Sequence, residues 1–424
     1  MHVFKFGGAS VKDASAVRNV SHILSLFPNN KIIVVISAMG KTTNALEQMV
    51  DSCWEKDEIK FGEQLEALIR FHFSIISDLE LEKQVGFTQK IDSVFAQLRE
   101  RFSVSFSDNY HFEYDQIVSL GEVLSTLIVE AFLKSQDHTS VWMDARKLIR
   151  TNHNFREGEV DWVKTQQIIS ERLLPEFNTN RIVITQGFIG HTNEGFTTTL
   201  GREGSDFSAA ILAFCTDSTD VTIWKDVPGM LNADPKWFDD TVKLEKISFK
   251  EAIELAYYGA TVIHPKTIKP LQNKGISLRV KSFIDPHAPG TTIQESSEFD
   301  HLVPSFIFKM NQVLMSFTPK DFSFIVEQNL GDLFQALASQ GVKINLMQNS
   351  ALSFSIVFDR SKTDPAILAK QFQALYEVRY NEGLELVTIR HYDQKTIDRV
   401  SVSKTILVEQ RTRQTIRMVM KNRA

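Results

Sequence analysis

The chain reads as a mostly parallel α/β domain followed by a smaller ferredoxin-like region. Three observations predict this. Short Val/Ile-rich runs alternate with helix-periodic segments as far as about residue 300, the pattern of a sheet covered on both faces. Small-residue loops stand at strand ends: Lys5–Gly8 (KFGG), Ser37–Asn44 (SAMGKTTN) and Thr198–Asp206 (TTLGREGSD). Beyond residue 313 the order becomes β-α-β-β-α-β, the split unit of ferredoxin-like folds.

Taken in order, Val3–Phe6 is a strand ending in Gly7-Gly8, and Val11–Leu26 has helical spacing. Lys31–Ile36 (KIIVVI) is a near-continuous β-branched run, as a buried parallel strand requires. After the Ser37–Asn44 loop, Ala45–Cys53 restarts a helix. Residues 55–113 are charged and helix-like, an insertion that caps the sheet or makes a dimer contact. Asp115–Phe132 is a helix, Thr139–Met143 a strand, Asp161–Leu174 a helix and Arg181–Thr185 a strand. Ser205–Phe214, Asp220–Trp224, Ser248–Tyr258 and Ser277–Val280 continue the alternation, and Gly290–Ile293 closes it. A domain boundary is expected near residue 300. In the region 301–424, Val313–Thr318, Val342–Gln348, Ser353–Asp359 and Leu384–His391 are strands. Ile325–Gln340 and Thr363–Tyr376 are helices, and two further strands follow. The residues after Gly383 are too few for a comfortable further unit of the same kind.

Composition narrows the function classes. With 47 basic against 52 acidic residues the net charge is -5, without the basic excess of a nucleic-acid surface. No stretch reads as long enough to span a bilayer, and no apolar signal segment opens the sequence. Cys53 and Cys215 match no metal or redox spacing and read as free thiols. A cytoplasmic location is expected.

The loops carry the chemistry. Glycines and hydroxyls at strand ends bring backbone N–H groups close to anionic oxygens. With Lys5 beside Gly7 and Gly8, and Arg202 between Gly201 and Gly204, they read as a phosphoryl-transfer site, where charge neutralisation matters more than a base. GxxxxGK[ST], the protein-kinase motifs and GxGxxG are absent. Arg202 suits a carboxylate. Ser205 and Asp206 suit either helix capping or the reacting centre. Glu122 is the odd polar residue in an apolar helix. Trp224-Lys225-Asp226 and Asn232–Lys236 suit a nucleotide loop, although Trp224 alone suits the core better than an adenine platform.

Together KFGGASV, VVISAMGKTTN, SLGEVLSTL, TTLGREGSD, WKDVPGMLNADPK and ELAYYGATVIHPKT resemble the aspartate kinase family, closely over residues 1–295 and more loosely after. The resemblance implies the amino-acid kinase fold, a three-layer sandwich, with a C-terminal ACT-type tail. It implies ATP- and Mg2+-dependent phosphorylation of the β-carboxylate of L-aspartate, feeding lysine, threonine and methionine synthesis. It implies that Lys5 meets the transferring phosphoryl group, with Gly7 and Gly8 along the phosphate path and Ser37 near the reacting groups. Thr43 and Asn44 would border the aspartate pocket, Glu122 would hold the α-ammonium, and Arg202 would clamp the α-carboxylate. Ser205 and Asp206 would organise the centre. Trp224, Lys225, Asp226, Asn232, Asp234, Pro235 and Lys236 would hold ATP.

Two positions depart from the family pattern: Glu203 stands where GRGGSD has glycine, and Lys225 replaces a hydroxyl. In the tail, a first ACT unit runs over 313–391, and its successor is expected to be reduced or incomplete. Met347, Gln348, Asn349 and Ser350 are candidates for contacting a lysine or threonine effector, and a homodimer or higher homo-oligomer is expected. Two other readings stay open, a kinase for another carboxylate such as N-acetylglutamate, or a non-catalytic amino-acid sensor.

Overall fold

A computed structural model describes residues 1–103, 106–260, 263–321 and 323–423. In the first unit, the strands are β1 (His2–Phe6), β2 (Ile32–Ile36), β3 (Ser140–Met143), β4 (Ile182–Gln186), the hairpin β5 (Ile189–His191) and β6 (Thr197–Thr199), β7 (Asp220–Lys225), β8 (Lys246–Ser248), β9 (Ser277–Ser282) and β10 (Thr291–Gln294). Eight of them form one sheet in the order β3-β4-β2-β1-β7-β9-β10-β8. The six from β3 to β9 in that order run parallel, and β10 pairs antiparallel to β9. The chain leaves β1 for β2 on one side and later returns as β7 on the other. Loops at the carboxyl ends of these strands therefore converge at a topological switch point, where ligands bind in open α/β sheets.

β2 (IIVVI) is buried along its whole length, as a strand covered on both faces must be. The helices are α1 (Ala14–Ser25), α2 (Thr42–Glu55), α3 (Glu58–Asp78), α4 (Phe87–Ser103), α5 (Tyr110–Val118), α6 (Leu120–Ser135), α7 (Trp162–Ile168), α8 (Gly204–Cys215), α9 (Phe249–Tyr258) and α10 (Pro265–Lys274). The charged stretch around 55–113 is not merely a surface cap. Phe61, Leu65, Leu68, Ile91, Phe95 and Leu98 of α3 and α4 join the same core as Phe4 and Ile36. One expectation is corrected here. By length and composition, Tyr110–Ser135 is apolar enough to cross a membrane, but 89% of its apolar window is buried inside the fold. Asp115 and Glu122 hide this run in the sequence.

The second unit comprises Leu231–Val242, Glu254–Thr261 and Asp300–Ala424, so two segments before residue 300 belong to it. Its strands are β11 (Ser305–Pro319), β12 (Ile344–Asn349), β13 (Phe354–Asp359), β14 (Tyr376–Arg390), β15 (Lys404–Arg411) and β16 (Thr415–Asn422). Its helices are α11 (Glu327–Ser339), α12 (Pro365–Phe372) and α13 (Gln394–Ser401). The antiparallel sheet order is β12-β13-β11-β14-β16-β15. β11 and β14 are both 15 residues long and change register around Lys309–Leu314. Asn311 and Gly383 have positive φ, a conformation these two residue types tolerate best.

This break divides the sheet into two halves of the same strand order. Residues 314–319 pair with 376–381 and, with β12 and β13, complete the first ferredoxin-like half. Residues 384–390 begin the other half, β15 and β16 follow, and 305–309 supply the remaining strand. The latter copy has four strands, the last of them lying before the first copy in sequence, and α13 as its helix among the described residues after 384. Local periodicity cannot show this, because the partner of 386–390 lies far upstream, beyond the whole of the first copy. α11 and α12 cover the first half through Leu333, Leu337 and Phe372. α13 and Phe238 cover the other. Leu346 and Val357 of the first half meet Leu384, Leu386 and Val419 of its neighbour.

Leu386 is 1% exposed. Leu386→Ala is expected to lower stability by ~2–5 kcal/mol through the cavity it leaves, read as a reduced denaturation midpoint for the second unit.

Candidate active site

A cavity of about 840 Å³ opens in the first unit at the carboxyl ends of the parallel strands. β1 delivers Lys5 to its floor. Strand alternation sends Phe4 and Phe6 onto Trp224, leaving Lys5 on the other side with only 8% exposure. Such a buried cation needs a partner, and Lys5 Nζ lies 2.6 Å from Asp206 Oδ1. Lys225 Nζ, from the end of β7, lies 3.8 Å from Asp206 Oδ2. Two lysines therefore share one carboxylate beside the amino end of α8, an arrangement that favours anionic oxygens.

The glycine loop after β1 is fixed by close approach. A Cβ on Gly8 would sit 2.7 Å from the Ala38 carbonyl oxygen, so only glycine lets the loops after β1 and β2 touch. α6 braces the loop after β2: Ser125 Oγ donates to the Ser37 carbonyl at 2.8 Å, and the Ala38 N–H donates to Glu122 Oε1 at 3.3 Å. Glu122 Oε2 is buried without a hydrogen-bond partner among the described residues. Burial pushes the Glu122 carboxyl up to about 8, against the opposing pull of the Ala38 N–H and the Lys5 charge. A cation entering here would find a carboxylate with an unused oxygen.

α8 begins at Gly204. Its N-cap residue is Glu203, with no side-chain capping bond. Ser205 and Asp206 therefore lie inside the first turn and do not cap it. Glu203 holds φ +53° and Gly201 φ +75°. A left-handed conformation costs a glutamate about 1–2 kcal/mol.

Lys5, Ser37, Thr43, Glu122, Arg202, Ser205, Asp206 and Lys225 all line this cavity. Other expected positions do not. The Trp224 side chain is fully buried and stacks parallel to Phe6, with ring centroids 6.1 Å apart; its indole belongs to the core, which corrects its assignment to the nucleotide. Asn44 and Asp226 are exposed outside the lining, and Gly7 and Gly8 shape the loop beneath it. Asn232 is committed elsewhere in the second unit: its Oδ1 accepts from Val242 N–H at 2.7 Å and its Nδ2 donates to the Pro304 carbonyl at 2.9 Å. That buried amide is structural, which overturns its assignment to ATP. Asp234, Pro235 and Lys236 form an exposed turn in which Asp234 Oδ1 accepts the Lys236 N–H. Met347, Gln348 and Asn349 are exposed on the edge strand β12, and Ser350 is exposed just beyond it.

The sequence reading missed a wall of the cavity: His111 and Tyr114 on α5, Asn154–Glu157, Phe188 and Thr199. The run NHNFREGE marks a loop through its polar residues and Gly158, but not where the loop docks. Asp115 fastens it. Its Oδ2 accepts the Arg156 and Thr199 N–H groups, each at 2.9 Å, and its Oδ1 accepts the Thr199 hydroxyl at 2.7 Å. Burial raises the Asp115 carboxyl to about 6 despite these bonds.

Residues 1–282 match the model of the amino acid kinase family. Lysine-sensitive aspartokinase 3 of Escherichia coli is 32% identical over 91% of this chain and 86% of its own length. The chain belongs to the amino acid kinase family, among its aspartokinases. The crystal structure of E. coli aspartokinase III in complex with lysine and aspartate (T-state) superposes with a TM-score of 0.83 at 30% identity, covering 99% of this chain and 95% of that one. The same enzyme in complex with aspartate and ADP (R-state) gives a TM-score of 0.79 at 29% identity, covering 99% and 96%.

Glu203→Gly is expected to raise stability by ~1 kcal/mol by relieving the left-handed strain, measured as a higher denaturation midpoint. Glu122 is protonated more readily folded than unfolded, so the stability it contributes below its ordinary value of 4.5 is lost as pH rises through about 8. Glu122→Gln should therefore flatten the fall in stability of the ligand-free protein between about pH 5 and about pH 8, as followed by denaturant titration at each pH.

Proposed function

We propose that the chain transfers the γ-phosphoryl group of ATP to the β-carboxylate of L-aspartate, giving 4-phospho-L-aspartate and ADP, the first step toward lysine, threonine and methionine. The observation that carries this reading is the pairing, in one cavity, of buried Glu122 with exposed Arg202. One charge suits an α-ammonium and the other an α-carboxylate. An N-acylated acceptor has no cation to offer Glu122, so burying that carboxylate against it would cost free energy.

The acceptor carboxylate is already ionised at neutral pH, so no protein base is needed. Lys5 neutralises charge that spreads over the phosphoryl oxygens in transfer. Asp206 holds Lys5 and Lys225 on the same side, and the first turn of α8 adds backbone N–H donors. Magnesium would be carried mainly by the nucleotide phosphates. When bound, that ion shields the phosphate charge. Asp226 and the 234–236 turn remain candidates for nucleotide contacts.

We assign an amino-acid effector of the lysine type to Met347, Gln348, Asn349 and Ser350, by analogy with the lysine in the E. coli T-state complex. Self-association is expected through the same exposed edge of the second unit.

The test is a hydroxylamine-trapped assay with magnesium-ATP and L-aspartate, repeated with N-acetylglutamate. Aspartyl hydroxamate is the expected product, and ADP release with N-acetylglutamate alone would overturn the reading. In the same assay Lys5→Ala should lower kcat by about 10²–10³-fold. KM for aspartate should fall as pH rises toward about 8, because an ionised Glu122 is the binding form, and Glu122→Gln should abolish that trend. Lysine and threonine titrations in this assay check the effector assignment; unchanged rates with both would remove it.

A further inference from the structure

Three of the ten non-glycine residues with positive φ among the described residues, Arg156, Phe188 and Glu203, line the one cavity. Backbone strain held at a binding site points to a function there. Arg156 is the most firmly built of the three. Its φ of +68° is a conformation costly for arginine, yet Asp115 fixes it by accepting the Arg156 N–H at 2.9 Å. The same carboxylate accepts both the N–H and the hydroxyl of Thr199, three residues before Arg202. One buried group therefore sets the positions of both arginine-bearing loops. These loops touch: a Cβ on Gly201 would lie 3.2 Å from Glu157 Oε1 and 3.3 Å from the Arg156 carbonyl oxygen.

The side chain is equally constrained. The Arg156 guanidinium lies 4.3 Å from the centre of the Tyr114 ring, a cation–π contact that restricts it while its N–H groups stay available to another partner. Among the described residues no carboxylate lies within ion-pair distance of it. The acidic groups on the neighbouring helix α2 are taken, since Tyr114 donates to Glu47 and Tyr110 to Asp51, each at 2.6 Å. A cation held in place with no carboxylate within ion-pair distance, facing a cavity, is a site for an anion. Phosphate charge is already met by Lys5 and Lys225 around Asp206, whereas Arg156 is seated on α5, the helix that runs into α6 and Glu122.

We propose that Arg156 is a further carboxylate-binding residue of the acceptor pocket, gripping the α-carboxylate together with Arg202. This rests on the reading of L-aspartate as the acceptor. The pocket then tests the α-carboxylate from two loops and discriminates against an acceptor with an uncharged α-carboxamide.

Arg156→Gly is the informative variant, because glycine takes φ +68° without strain and removes only the guanidinium side chain. Hydroxamate formation would be measured with L-aspartate and with its α-carboxamide, isoasparagine, for the unaltered chain, Arg156→Gly and Arg156→Lys. The expected result is a rise in aspartate KM of about tenfold in Arg156→Gly, equivalent to ~1.4 kcal/mol. The preference for aspartate over isoasparagine should shrink, KM for ATP should hold, and Arg156→Lys should restore part of the loss. A melting temperature equal to or above that of the unaltered chain shows that the effect is not unfolding. An unchanged aspartate KM and preference in Arg156→Gly, with the unaltered chain active, overturns this proposal alone, as does a rise confined to ATP KM. Failure of the unaltered chain to use aspartate overturns the acceptor reading and this proposal with it.

Discussion

The ion pair between Lys5 and Asp206 fixes the rest of the first unit's chemistry. One partner sits on the central strand and the other in the first turn of a buried helix, and both are nearly cut off from water. Burying either charge alone would cost several kcal/mol, so the fold must bring the end of β1 and the start of α8 together. The shared carboxylate also holds Lys225. Both lysines are thereby held where the loops of three parallel strands meet. Glycine at position 8 follows from the same demand, because the loops after β1 and β2 must nearly touch for this end of the sheet to close.

The opposite wall depends on a different carboxylate. Asp115 gathers a helix, a hairpin strand and an irregular loop with three hydrogen bonds. Its burial raises its pKa against the pull of those donors and of the nearby Arg156 charge. The two carboxylates thus divide the labour, one gathering two lysines and the other setting the spacing of loops that bear arginines. Left-handed Arg156, Phe188 and Glu203 all lie along the cavity, where strained backbone often accompanies binding.

Much of this was legible in the sequence, for reasons that can be stated residue by residue. KIIVVI announced a doubly covered strand because burial on both faces leaves no polar alternation. Lys5, Glu122, Arg202 and Asp206 stood out because each is a charge in a small-residue loop or apolar helix, where it is costly unless used. The Asn154–Glu157 wall was illegible, since a polar loop carries no record of the surface it covers. Trp224 and Asn232 were misassigned for a related reason. Position in a motif does not reveal whether a side chain points to a ligand or inward, and here an aromatic core and an amide lock claimed them. The latter ferredoxin-like half was hidden because its closing strand precedes the first half, a pairing that no local pattern encodes.

That interleaving has a consequence for how such a chain can change over evolutionary time. β11 and β14 each serve both halves, so no cut between the halves leaves either with four strands. A duplicated tail of this kind cannot be dismantled by losing one copy, nor can one copy be recombined into another gene as a free-standing module. Sequence can diverge within each half, one keeping a sensory surface while the other does not, but the two must be inherited as a single topological object.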